Sequence, residues 1–153
     1  MLDVGVGMGK WGVLVREYCD SWGVTRLNGR HTVIHGIEGD ERYIGDLHRA
    51  VYDDLFIGDL IQIIPTLDPY DMLLCIDVLE HLQKPDGLEL LAWAKASVGR
   101  SMFAIPHPVS KQGAVYGNEF ERHRSHWSEA ELRQFGRCWT TGPVRFLAMV
   151  QAK

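Results

Sequence analysis

Leu2-Asp3-Val4-Gly5-Val6-Gly7-Met8-Gly9-Lys10 is the stretch on which the fold turns. An apolar run from Met1 to Val6 breaks into glycines at alternate positions, and Trp11, Leu14, Val15 and Tyr18 follow at helical spacing. A strand, a glycine-rich turn and a helix in that order open an α/β unit. The glycines let the backbone turn sharply and let a ligand approach it closely. The free N–H groups at the start of the helix favour an anionic group such as a carboxylate.

Moving outward, the alternation continues. Thr32 to Glu38 reads as a second strand, and Ile44, Leu47 and Val51 mark the next helix. Asp54 to Ile57 is a short third strand ending in Gly58-Asp59. Tyr70 to Ile76 is a continuous apolar run, as a fully buried parallel strand should be. Arg100 to Ile105 is a fifth strand, and Cys138 to Thr141 and Val144 to Gln151 form a closing pair around Gly142-Pro143. Asp86 and Glu89, just after Pro85, give one helix-capping pattern. Ser128 and Glu131 give another, with Gly136 as its C-terminal stop and Trp127 and Leu132 as a hydrophobic staple. The expected fold is one α/β domain over residues 1–153. It is a doubly wound, seven-stranded, mostly parallel sheet with an antiparallel C-terminal strand and helices on both faces. Ligands then bind outside the carboxyl ends of the strands, where the strand order reverses.

The composition narrows the classes. A chain of 153 residues with 46% hydrophobic and 24% charged residues is ordinary for a soluble domain. A formal net charge of −4 gives no general attraction to nucleic acid or anionic membranes. No apolar run reaches the roughly 18–20 residues of a membrane span, and no signal peptide is recognised. Cys19, Cys75 and Cys138 are widely separated and lack any CxxC pairing, so reduced thiols in a cytoplasmic protein are expected and no metal ligand set is read.

Acidic residues stand at the ends of successive strands. Gly7, Gly9 and Gly12 alone also spell the G-x-G-x-x-G of nicotinamide and flavin enzymes, and Glu38 after the second strand suits any ribose. Asp3 two residues before Gly5, Gly58-Asp59-Leu60 after the third strand, and Asp77-Val78-Leu79-Glu80-His81-Leu82 after the fourth go further. A dehydrogenase has no use for the Asp59 and Asp77 stations. Together these segments resemble class I S-adenosylmethionine-dependent methyltransferases of the small-molecule type. The likeness extends through Trp11-Gly12, Gly36-Ile37-Glu38, His123-Arg124-Ser125 and Trp127-Ser128, and covers Leu2 to about Phe135.

The resemblance implies S-adenosyl-L-methionine as cofactor and S-adenosyl-L-homocysteine as product. It assigns Asp3, Gly5, Gly7 and Gly9 to the cofactor loop and Glu38 to both ribose hydroxyls. It gives Asp59 the adenine amino group and Leu60 N–H the adenine ring. The cofactor's ammonium should meet backbone carbonyls near Gly5 and Asp77. Transfer from a sulfonium is a direct displacement that needs alignment, exclusion of water and sometimes a base, with no metal.

The acceptor should enter over the stretch Pro106 to Trp127, which is long, unpatterned and rich in polar and aromatic residues. His107, Gln112, Tyr116, Asn118, Glu121, His123 and His126 lie there, with His81 on the neighbouring loop. His123 and His81 are the catalytic candidates, since an imidazole there could deprotonate a hydroxyl acceptor. His81 packing beneath the cofactor, and pure proximity without a base, stay open. Asp77-Val78-Leu79-Glu80 replaces the Asn/Asp-Pro-Pro-Tyr motif of amino-group methyltransferases, so a small-molecule or glycan-type acceptor is preferred to nucleic acid. The family's N-terminal cover helix is absent from this sequence, which leaves room for self-association as a homodimer. It also leaves open a non-catalytic S-adenosylmethionine-binding module that acts through a partner.

Overall fold

Short strands that are buried on both faces favour apolar residues in succession, and β1 (Leu2–Val4) buries all three of its side chains, Asp3 being the one polar exception. The computed structural model describes residues 1–21, 32–141 and 146–152. β2 (His35–Glu38), β3 (Asp54–Ile57), β4 (Tyr70–Ile76) and β5 (Val98–Pro106) run parallel to β1. β7 (Phe146–Ala152) lies antiparallel between β5 and β6 (Arg137–Thr141). The order β3-β2-β1-β4-β5-β7-β6 makes one seven-stranded sheet, and the antiparallel last strand is the one expected. The order reverses between β1 and β4, so their carboxyl ends frame the crevice.

Helices surround this sheet: α1 (Lys10–Val15), α2 (Asp46–Val51), α3 (Leu60–Ile63), α4 (Lys84–Ser97) and α5 (Glu129–Leu132). The main core joins Val4, Ile37, Leu73 and Phe103 of the sheet to Leu90 and Leu91 of α4. A second cluster gathers Val6, Ile34, Val51 and Tyr52. No helix among the described residues is long and apolar enough to cross a membrane.

Several local expectations need correction. α1 runs into a π-helical turn, Arg16–Ser21, which rotates Tyr18 off the apolar face and leaves it exposed. Arg16 in that turn bonds Asp20 and Asp53 and the carbonyls of Val51 and Thr32, tying the turn to the lead-in of β2. In α2 the buried polar residue is His48, whereas Leu47 faces solvent. α4 starts at Lys84, because Pro85 has no N–H to waste in a first turn, and Asp86 lies inside the helix instead of capping it. The Ser128–Glu131 capping box forms in full, and Lys84 beside Glu131 holds that carboxyl down at about 2. Gly136 does donate its N–H to Leu132, but a side chain there would strike the Val150 carbonyl of β7. The turn read at Gly142-Pro143, and the first residues of the last strand, fall outside the described residues.

The tightest steric demand lies where β1 ends. Gly5 has φ 74°, and a Cβ there would overlap the Cγ2 of Val78. Gly5→Ala should therefore lower stability by roughly 1–3 kcal/mol, from backbone strain plus overlap. In urea unfolding, adding Val78→Ala should restore part of that loss, the steric part, and leave the backbone part.

Candidate active site

The chain leaves β1 in a single step. The N–H groups of Gly5 and Val6 both donate to the Ile37 carbonyl of β2, at 2.9 and 3.1 Å. The loop that follows is anchored by His48, whose Nδ1 accepts from Gly45 N–H and whose Nε2 donates to the Gly7 carbonyl at 2.8 Å. That assignment satisfies both ring nitrogens with one neutral tautomer. Gly9, at φ 81°, then starts α1.

Beside this loop opens a cavity of about 530 Å³, within the usual range for small-molecule sites. Gly5, Gly7, Glu38, Asp59, Leu60, Asp77 and His81 all line it, so the structure gathers these sequence-predicted residues around one space. Glu38 is almost wholly buried, with one carboxylate oxygen accepting from Gly7 N–H and the other from Asp40 N–H, both at 3.0 Å. Burial raises its pKa, and these backbone donors oppose the rise. Each carboxylate oxygen keeps a second lone pair for a ligand.

Asp59 caps α3 by accepting from Ile61 N–H at 2.9 Å while also lining the cavity, so capping and ligand contact are compatible here. Asp77 ends β4 with φ 57°, a strained value for a side chain other than glycine, and its N–H donates to Ala104. Burial raises its pKa against the attraction of Lys10 and His123.

Asp3 and Gly9 stand behind the cavity wall instead of in it. Asp3 is buried, accepts from the Tyr52 hydroxyl at 2.6 Å and is further steadied by Gly12 N–H. It braces the loop and the first turn of α1. Tyr52 was not legible as its partner, being a lone aromatic at the end of α2.

The long stretch after β5 folds over the far side of the cavity. Its 3₁₀ turn, Glu119–Glu121, brings Phe120 and Glu121 to the wall, with Arg124 beyond. The Phe120 ring packs against Gly39, where any Cβ would collide with it. The Tyr43 hydroxyl donates to Glu121 at 2.9 Å, and Gln112 holds the Glu121 carbonyl. Of the histidines expected near the site, His123 meets His81 edge-to-face with ring centroids 4.8 Å apart. His107 and His126 do not reach the wall. Trp127 packs against Gly87 and donates to Ser125 and Leu79, a structural role. Burial lowers the His81 pKa and lifts Glu80 to about 8.

This architecture has known counterparts. A methyltransferase from Archaeoglobus fulgidus described as dependent on S-adenosylmethionine superposes with TM-score 0.69 over 99% of this chain and 85% of its own, at 14% identity. The chain has the class I methyltransferase fold. The N-terminal domain of EvdMO1, solved with S-adenosylhomocysteine bound, gives TM-score 0.64 at 18% identity, over 99% and 74% of the two chains. A family 2 O-methyltransferase from Planctomyces limnophilus, in complex with apigenin, gives 0.63 at 19% identity, over 99% and 50%. No protein-family model matches the sequence, and no curated protein matches it. In this class I fold the glycine loop, Glu38, Asp59 and Asp77 occupy the carboxyl ends of β1 to β4, in chain order.

Burial pushes the Asp3 carboxyl up to about 6 despite the Tyr52 hydroxyl. A folded-state pKa above the unfolded one means the folded protein holds the proton more tightly. Its contribution is present at low pH and is lost as pH rises from the ordinary aspartate range through about 6. Stability curves of the wild type and Asp3→Asn should therefore diverge across that window, with the wild type losing on the order of 2 kcal/mol more. Parallel curves would exclude the buried-carboxyl account.

Proposed function

We propose that this chain is an S-adenosylmethionine-dependent methyltransferase that methylates a small-molecule or glycan-type acceptor and releases S-adenosylhomocysteine. The observation that carries this reading is Glu38. It is a buried carboxylate held on both oxygens by backbone N–H groups, one of them from the glycine loop, and it still faces the cavity.

The residues fit such a cofactor. Glu38 has lone pairs left to accept from both hydroxyls of a ribose. Asp59 and Leu60 line the same cavity, and we assign the Asp59 carboxylate as acceptor and the Leu60 N–H as donor to the edge of the adenine. Gly5 and Gly7 expose backbone instead of side chains, which lets a ligand lie against the loop. Carboxylates at Glu38 and Asp77 make the cavity favourable for a ligand carrying positive charge. When bound, S-adenosylmethionine supplies a methyl group activated on a positively charged sulfur.

What the chain itself contributes is alignment and shelter. Phe120, Glu121 and Arg124 line the cavity beside the sheet residues, where they would shelter part of a bound cofactor from water. His81 on the wall and His123 against it are assigned to the acceptor, where they orient its attacking group. The apigenin complex of a protein with this fold supports a small-molecule acceptor.

Calorimetric titration with S-adenosylhomocysteine should show binding at micromolar strength. Glu38→Ala should weaken it about 100-fold, roughly what two charge-assisted hydrogen bonds contribute. Failure of the folded chain to bind, or binding of NADH in its place, would overturn the reading. Binding without turnover over a broad acceptor panel would point to a non-catalytic module acting through a partner.

A further inference from the structure

Next to the cavity wall lies a group that the proposed reaction leaves without a task. The Glu80 side chain is completely buried, and neither carboxylate oxygen has a hydrogen-bond partner. The adjoining His81 has a buried Nδ1 that is equally unpartnered. Buried polar groups are nearly always satisfied, so adjacent exceptions call for an explanation. His123 completes the group: one donor atom from each of Glu80, His81 and His123 lies within 4.8 Å of the others.

We propose that Glu80, His81 and His123 form a divalent-cation site of the two-histidine, one-carboxylate kind at the edge of the cavity. One carboxylate and two imidazoles suit Zn²⁺, Mn²⁺, Fe²⁺ or Co²⁺. The His123 ring is already set for that task. Its Nδ1 lies 2.6 Å from the Ser110 carbonyl, to which a ring N–H donates, leaving the lone pair on Nε2. Metal-bound histidines characteristically use their second nitrogen in this way.

The cluster is also built by the backbone around it. The N–H groups of Arg124 and Ser125 both donate to the Glu80 carbonyl, at 2.8 and 3.1 Å. The Arg124 guanidinium donates to the His81 carbonyl at 3.0 Å. These bonds hold the segment bearing His123 against the turn bearing Glu80 and His81. Such distant partners form no local spacing motif, which is why the sequence shows no metal ligand set.

Three protein ligands leave a coordination position open, as catalytic sites require, and His81 lines the cavity. An acceptor hydroxyl taken into that position would release its proton to water at a lowered pKa. This role rests on the methyl-transfer reading, whereas binding of the cation does not.

The test is titration of the chelator-stripped chain with Co²⁺, followed by its visible absorption, with S-adenosylhomocysteine binding measured on the same preparation. The expected result is one Co²⁺ per chain, displaced by Zn²⁺. His123→Ala and Glu80→Gln should each weaken it at least about tenfold, with circular dichroism unchanged. No cobalt band in a folded chain that binds S-adenosylhomocysteine overturns the cation site and spares the methyltransferase reading. So does a band that survives both substitutions. Cobalt binding without S-adenosylhomocysteine binding supports the site and overturns the methyltransferase reading.

Discussion

The Ile37 carbonyl accepts from Gly5 and Val6 together, and this paired bond makes β1 end where it does. Once the central strand stops there, the chain must turn within a residue, and only glycine fits against Val78 at that point. The turn aims Gly7 N–H at Glu38 and the Gly7 carbonyl at His48. The cavity wall, the start of α1 and the seating of α2 are thus consequences of how one strand terminates beside its neighbour. Asp3 and Tyr52 secure the arrangement from below.

Charge is the second organising element. Asp3, Glu38, Asp77 and Glu80 crowd the carboxyl ends of β1, β2 and β4, and burial raises the pKa of every one of them. Such crowding opposes folding wherever the groups are ionised, so the site is held in place by its surroundings: backbone donors to Glu38, a hydroxyl to Asp3, Lys10 near Asp77. The crowding of carboxylates favours a ligand that carries positive charge in this region. The net charge of −4 is small, yet locally the imbalance is concentrated around the cavity.

The fold was legible because its signals are local. Alternating apolar runs, the glycine loop and the Ser128–Glu131 box act within a few residues, and so does the acid at each strand end. What escaped the sequence is tertiary. His48 reads as a polar interruption of a helix face, yet it is buried because Gly7 offers it a carbonyl. Tyr18 fits the helical period until the π-turn advances the winding. Asp86 looks like a cap only if Pro85 is denied a place in the first turn. In the segment after β5, Phe120 meets Gly39 across the crevice, and nothing near either residue announces the other.

The segment after β5 is held chiefly by main-chain atoms. Arg124 and Ser125 reach the Glu80 carbonyl through their N–H groups, His123 N–H donates to Gln112, and the side chains of Gln112 and Arg124 themselves seek carbonyls. Anchors of this kind depend on few side chains, those of Gln112 and Arg124 among them. Most positions along the segment can therefore change without unfastening it, provided those two side chains keep their reach.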